Sequence, residues 1–234
     1  MAIDLNNGVG GYCYGDTAKS SQWNAMSSAL TMMAWVWLDT SPGGYRCIFS
    51  RQLNDTAAET LGLFATGGNY TTFIITSGGT ANLSFGATAT GVWKHVAVTY
   101  DSALGSNRVK TYVDGVATAT NNTPSGNVTT STKTLIVGGN NNGAGNPGTP
   151  GESLDGRVAD LRFYSRALTA NEIADIYNGR GMGGPIPNVE WWSGQHVIEG
   201  SNVGTMPSLI GASNLLYGVG ATGIGDPFTV SGGT

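Results

Sequence analysis

The chain has 234 residues, 40% of them hydrophobic and only 11% charged, with a formal net charge of −4. Charged residues make up about a quarter of an ordinary globular chain. The absence of any basic run excludes an electrostatic footprint for nucleic acid, and no stretch approaches the ~20 apolar residues of a membrane-spanning helix.

The length suits one large domain with a sizeable core. Thirty-seven glycines suit many short strands joined by tight turns. Met1-Ala2-Ile3-Asp4 runs straight into a strand, with neither the basic region nor the apolar run of an export signal. Period-two or continuous apolar runs predict strands over 10–16, 31–38, 44–51, 60–66, 70–76, 81–87, 93–101, 108–114, 116–120, 133–138 and 156–164. Cys13 and Cys47 lie in the first and third of these. They are two buried thiols or, if their strands are neighbours, a disulfide. No Cys or His stands at metal-ligand spacing.

The strand ALTMMAWVWL, Ala29–Leu38, is apolar on both sides. Met32, Ala34, Val36 and Leu38 form the face that a sandwich core expects. Met33, Trp35 and Trp37 occupy the other face, and such a strand is covered twice. The second cover is a loop of the same chain, the C-terminal extension, another subunit or a ligand. In the last case Trp37 stacks a sugar ring. Further along, Gly78-Gly79 and Asp114-Gly115 read as two-residue hairpin turns. His95 in KHVAV reads as a strand residue making a cross-sheet hydrogen bond. Asn140–Gly151 has Ala144 as its only apolar residue and reads as a surface loop.

Near the end of the strand series, Val158, Leu161 and Phe163 make an apolar strand, followed by a turn and a short helix. Thr169 is the N-cap of that helix and Glu172 completes a capping box. Leu168 and Ile173 form a hydrophobic staple, and Gly179 supplies the stop. This segment resembles the closing signature of laminin-G-like, concanavalin A-like jelly-roll domains. So do WKHVAVTYD at Trp93–Asp101, VKTYVDGV at Val109–Val116, TLIVGG at Thr134–Gly139 and the strand carrying Trp35. The resemblance covers about residues 1–181. It implies an all-β, antiparallel two-sheet jelly-roll sandwich with one short C-terminal helix. It also implies one Ca²⁺ near the first and last strands, with Asp160 as a ligand and Asp4 or Asp16 approaching it. The family usually keeps polar residues where Met33 and Trp37 fall.

The fold hosts lectins, adhesion modules, glycosidases and viral surface proteins. Glucanases that share it carry an E-x-D-x-E strand, and none occurs here. The expectation is therefore a protein that is not an enzyme. Residues 182–234 form a second region, an extended glycine-rich arm, in which Ser201–Thr234 holds Asp226 as its one charge. Such an arm docks on its own sandwich or on a partner, through Trp191, Trp192, Leu215, Leu216, Tyr217 and Phe228. Trp191 is also a candidate for sugar stacking.

Two functional classes follow. One is a structural component of a phage or virus particle, a capsid decoration or fibre-type protein. It would be homo-oligomeric, bound to itself or to other virion proteins, and located in the virion. The other is a carbohydrate-binding or adhesion module of a secreted, extracellular protein.

Overall fold

A computed structural model describes residues 2–5, 12–15, 17–52, 59–140, 152–179, 185, 190–192, 205–206, 215–217 and 222–224. Sixteen strands are present among them. In chain order these are β1 (Ala2–Asp4), β2 (Cys13–Gly15), β3 (Ala29–Leu38), β4 (Arg46–Gln52), β5 (Glu59–Thr66), β6 (Asn69–Thr76), β7 (Gly79–Ala87) and β8 (Trp93–Asp101). There follow β9 (Val109–Val113), β10 (Val116–Asn121), β11 (Leu135–Val137), β12 (Gly156–Tyr164), β13 (Glu190–Trp192), β14 (Thr205–Met206), β15 (Leu215–Tyr217) and β16 (Thr222–Ile224). A 3-10 helix spans Thr17–Ala25, and one α-helix, α1, spans Ala170–Asn178.

Sheet A runs β10-β9-β8-β3-β12-β1-β16, with β13 pairing the second half of β12. Sheet B runs β14-β15-β2-β11-β4-β5-β6-β7. Every strand pair is antiparallel, so the architecture is the two-sheet sandwich expected from the residues, with one short helix. Its core joins the inner faces of the sheets. Met32, Ala34, Val36 and Leu38 from β3 meet Phe49, Leu61, Leu63 and Val137 from sheet B, all fully or almost fully buried. Trp23 of the 3-10 helix, which the apolar pattern does not predict, packs edge-on against Phe163 at 5.1 Å.

One irregularity sets the phase of β12. Ala159 stands opposite Trp35 and Arg162 opposite Met33, so Asp160 and Leu161 together face Ala34 alone. This is a β-bulge, and Asp160 occupies it at a positive φ of 48°. The extra residue shifts the alternation by one. Val158 before it and Leu161 and Phe163 after it therefore all reach the core.

Helix α1 begins as its sequence predicts. Thr169 Oγ1 accepts from the Glu172 amide at 3.3 Å, while the Thr169 amide donates to Glu172 Oε2 at 2.8 Å. Arg166 adds two hydrogen bonds to the same carboxylate. Buried Thr31 of β3 fixes the entry of the helix: its hydroxyl donates to the Arg166 carbonyl (2.8 Å) and accepts from the Leu168 amide (2.9 Å). The helix then lies over the outer face of sheet A. Leu168, Ile173 and Ile176 bury against Met33, Ala97, Tyr112 and Tyr164. Tyr177 stacks on Trp35 at 5.6 Å. The second cover over Met33 and Trp35 is thus this amphipathic helix.

Two expectations need correction. The loop between β6 and β7 is Ser77-Gly78, with Gly79 already paired to Thr76. Asp114-Gly115 is a turn as predicted, both residues at positive φ (51° and 76°). Cys13 and Cys47 do not sit on neighbouring strands. Cys13 faces Val137 of β11, which faces Phe49 of β4. Two strand spacings amount to about 10 Å, beyond the span of a disulfide between the two. The expected loop at Asn140–Gly151 lies, apart from Asn140, outside the described residues.

Candidate functional site

Helix α1 covers only part of the outer face of sheet A. Beyond Tyr177 a transverse row of side chains is left half-exposed. The strand register generates it: Trp93 of β8 stands opposite Trp37 of β3, Trp37 opposite Arg157 of β12, and Arg157 opposite Asp4 of β1. Directly opposed residues share a face and touch. The contacts follow accordingly. The Trp37 and Trp93 rings lie 5.9 Å apart at 58°. The Arg157 guanidinium sits over the Trp37 ring at 5.4 Å. Arg157 Nε donates to Asp4 Oδ2 at 3.4 Å, and Arg157 Nη1 lies 3.7 Å from Asp39 Oδ1. Asp39 in turn accepts from Trp37 Nε1 at 2.8 Å. At the rim, Thr40 donates to Asp155 at 2.6 Å.

The side chains of Arg157, Asp39 and Asp4 retain 29%, 22% and 19% of their exposure. Both tryptophans are also half-buried. The result is a pair of half-exposed aromatic rings beside three partly exposed charged groups. Chemically, such a row can stack an apolar ring face and hydrogen-bond the groups around its edge.

Trp37, the sugar-stacking candidate, is half-exposed, with Arg157 over its ring and Trp93 beside it. Of its polar neighbours, Asp39 lies two residues on, whereas Arg157 comes from a strand 120 residues away and brings Asp4 with it, so no local motif announces the set. Trp93, Arg157 and Asp39 were not singled out from sequence. The one available signal was register: equal alternation in WVWL and WKHV aligns the two tryptophans once β3 and β8 pair.

Trp191 is elsewhere. Its backbone pairs with Arg162, and that of Trp192 with Leu161. Leu215, Leu216 and Tyr217 pair through their backbones with β2 of the same chain. Phe228 and Asp16 lie outside the described residues.

Of the calcium ligands implied by the family resemblance, Asp160 and Asp4 each face an arginine, and Asp16 lies outside the described residues. Asp160 is buried, and both its oxygens accept from Arg162 Nε (2.9 and 3.1 Å). Asp4 faces Arg157. Among the described residues no three His, Cys, Asp or Glu side chains stand close enough together to hold a metal.

Under α1, His95 is a strand residue as expected, but its ring takes no part in the cross-sheet hydrogen bonds. Its ring is buried between Trp35 (5.3 Å) and Tyr177 (6.1 Å), and neither ring nitrogen has a hydrogen-bond partner. Only its backbone joins the sheet neighbours, through Asp114. Burial, with the Arg162 charge acting in the same sense and Asp114 opposing, lowers its pKa to about 3.

A family model described as Laminin_G_3, concanavalin A-like lectin/glucanases superfamily, matches residues 9–174. Among solved structures, a candidate carbohydrate binding protein from Bacteroides ovatus superposes with a TM-score of 0.66 at 16% identity. That match covers 94% of this chain and 58% of the other. A native heptameric SAP-like pentraxin from Limulus polyphemus gives 0.58 at 16% identity, covering 90% and 94%. A sialidase from Trypanosoma rangeli gives 0.50 at 20% identity, covering 67% of this chain and 23% of that enzyme. This chain thus spans little more than half of the first of these and a quarter of the last. No curated protein matches it in sequence. Among the described residues, no helix is long and apolar enough to cross a membrane.

Proposed function

On the premise that the chain belongs to the concanavalin A-like lectin/glucanases superfamily, we propose that it is a non-catalytic carbohydrate-binding protein. The ligand would stack on Trp37 and Trp93 and be oriented by Arg157, Asp39 and Asp4. The observation that carries this reading is the half-exposed row itself, with two aromatic rings and a charged cluster on one face. The carboxylates of the row support a binding role over hydrolysis. Asp4 and Asp39 both face Arg157, and Asp39 also holds the Trp37 indole. Glycoside hydrolysis uses two carboxyl groups that flank the scissile bond and are free to move protons.

Trp37→Ala should abolish retention of the bound sugar on a glycan array and leave the melting temperature within a few degrees of the parent. Failure of the intact protein to retain any glycan would end the reading. Release of reducing sugar from a polysaccharide by the purified protein would end its non-catalytic part.

A second reading, a surface component of a phage or virus particle, rests on residues 201–234, which hold one charge and many apolar side chains. An arm of that composition suits attachment to a shell of protein subunits. The two readings are compatible, since a particle protein can carry a glycan site. Mass spectrometry of purified particles tests the second, and absence of the chain from them removes it.

A further inference from the structure

The outer face of sheet B carries a second aromatic assembly, unrelated to the row on sheet A. Phe64 of β5 points outward, yet only 1% of it is exposed. Its ring lies over Gly62, where a Cβ would come within 2.5 Å of Phe64 Cε2. Glycine at position 62 is what lets the ring lie flat on the sheet. Phe73 of β6 meets Phe64 edge-on at 5.4 Å, and Tyr45 meets both at 5.8 and 5.9 Å. Tyr45 is 41% exposed, among the highest values for a large hydrophobic residue in the described chain. Beside it, Gly43 and Gly44 have nothing within 4 Å of a would-be Cβ, so the approach to the ring is open.

On β5–β7, among the described residues, the surroundings of these rings are polar and uncharged. Register places Asn82 opposite Phe73, and Ser84 opposite Thr71, which is itself opposite Phe64. Asn82 and Ser84 are exposed. Thr66, Thr71 and Ser84 form a chain of hydroxyls at 3.4 and 3.1 Å. Residues 60–93 contain no Asp, Glu, Lys or Arg. Arg46, the sequence neighbour of Tyr45, stands opposite Ala65 and so falls on the other side of the pleat from Phe64.

We propose that this face is a second glycan site, specific for an uncharged sugar. The apolar C–H face of a pyranose would stack on Tyr45 and Phe73, and its hydroxyls would reach Asn82 and Ser84. Charge decides between the possible occupants. An acidic glycan would ordinarily be met by Arg or Lys, and among the described residues β5–β7 offer neither. A neutral polyol is complementary to rings fringed with hydroxyl and amide groups. The site is built from strands β5–β7 and the loop before β4, so it is independent of the Trp37 row.

The test uses the full chain and a variant lacking the sheet A rings, Trp37→Ala/Trp93→Ala. Affinity electrophoresis against glucomannan, xyloglucan and xylan reads binding, and ¹³C shifts of the Tyr45 and Phe73 rings locate it. The sheet A variant should still bind at least one of these neutral polymers. Adding Tyr45→Ala should weaken that binding about tenfold or more, the order expected for a lost aromatic stack. Tyr45→Phe should retain it, and melting curves should show each variant folded. If binding vanishes with Trp37→Ala/Trp93→Ala and is untouched by Tyr45→Ala, the second site is wrong while the first stands. Absence of binding by every protein in the series overturns both. If Tyr45→Ala instead lowers the molecular mass in solution, the face joins copies of the chain, and the proposal is equally overturned.

Discussion

At the scale of single residues, two buried polar groups have opposite arrangements. Asp160 and Arg162 neutralise each other at the bulge, and the positive φ of Asp160 is tolerable because short polar side chains enter that region more readily than most. His95 has no such partner and is held neutral by its apolar surroundings. Its pKa in an unfolded chain is about 6.5, against about 3 when folded. Below pH ~6.5 the unfolded state binds a proton that the native state refuses. The neutral ring thus contributes stability fully above that pH, and the contribution is lost as pH falls towards 3. The slope is about 1.4 kcal/mol per pH unit. Glu172, whose pKa is lowered to about 2 chiefly by the Arg166 hydrogen bonds, acts in the same direction only below its ordinary value. Its partial exposure screens that effect. Urea midpoints measured between pH 6.5 and 4.5 should therefore fall steeply for the parent and stay nearly level for His95→Phe. Parallel curves for the two proteins would show that the ring titrates normally.

At the scale of elements, helix α1 separates local from tertiary control. Its start was legible because capping box and staple are written in consecutive residues, Leu168 to Ile173. The hairpin at Asp114-Gly115 was legible for the same reason. What the helix covers was not, since Met33, Trp35 and Tyr112 come from β3 and β9. Nor could the bulge be foreseen, since positive φ at a non-glycine residue leaves no mark in the pattern. The candidate site was half visible. Trp37 stands out as an aromatic on the wrong face, whereas Arg157 and Asp4 join it only through register. The docking of α1 also dominates energetically. Thr169→Ala should destabilise the protein by about 1 kcal/mol. Ile176→Ala, which empties a fully buried position between helix and sheet, should cost about 2–5 kcal/mol and alter the near-ultraviolet signal of Trp35. Equal losses in denaturant titrations would mean that the helix is held by its cap and not by its packing.

At the scale of the whole molecule, the region after α1 contributes strands to both sheets. β13 and β16 join sheet A, while β14 and β15 join sheet B. In this arrangement β1 and β2 are interior strands. Truncation before Ser201 would turn both into edges with unpaired amides and carbonyls. The shortened chain should keep the core of β3–β12 but self-associate with rising concentration in light scattering, whereas the full chain should not. A truncated protein that stays monomeric at all concentrations would show that these short strands do not guard the edges.

The pairing of β1 has a consequence for biosynthesis. One of its neighbours, β12, lies 153 residues downstream at the Asp4–Arg157 contact, and the other, β16, lies near the far end of the chain. A ribosome that delivers the polypeptide amino end first leaves this strand without a partner through most of translation. The final architecture closes only once distant segments have emerged. Chains with such remote contacts acquire their native state slowly. For this one, β1 gains both of its neighbours only after β12 and β16 have been made.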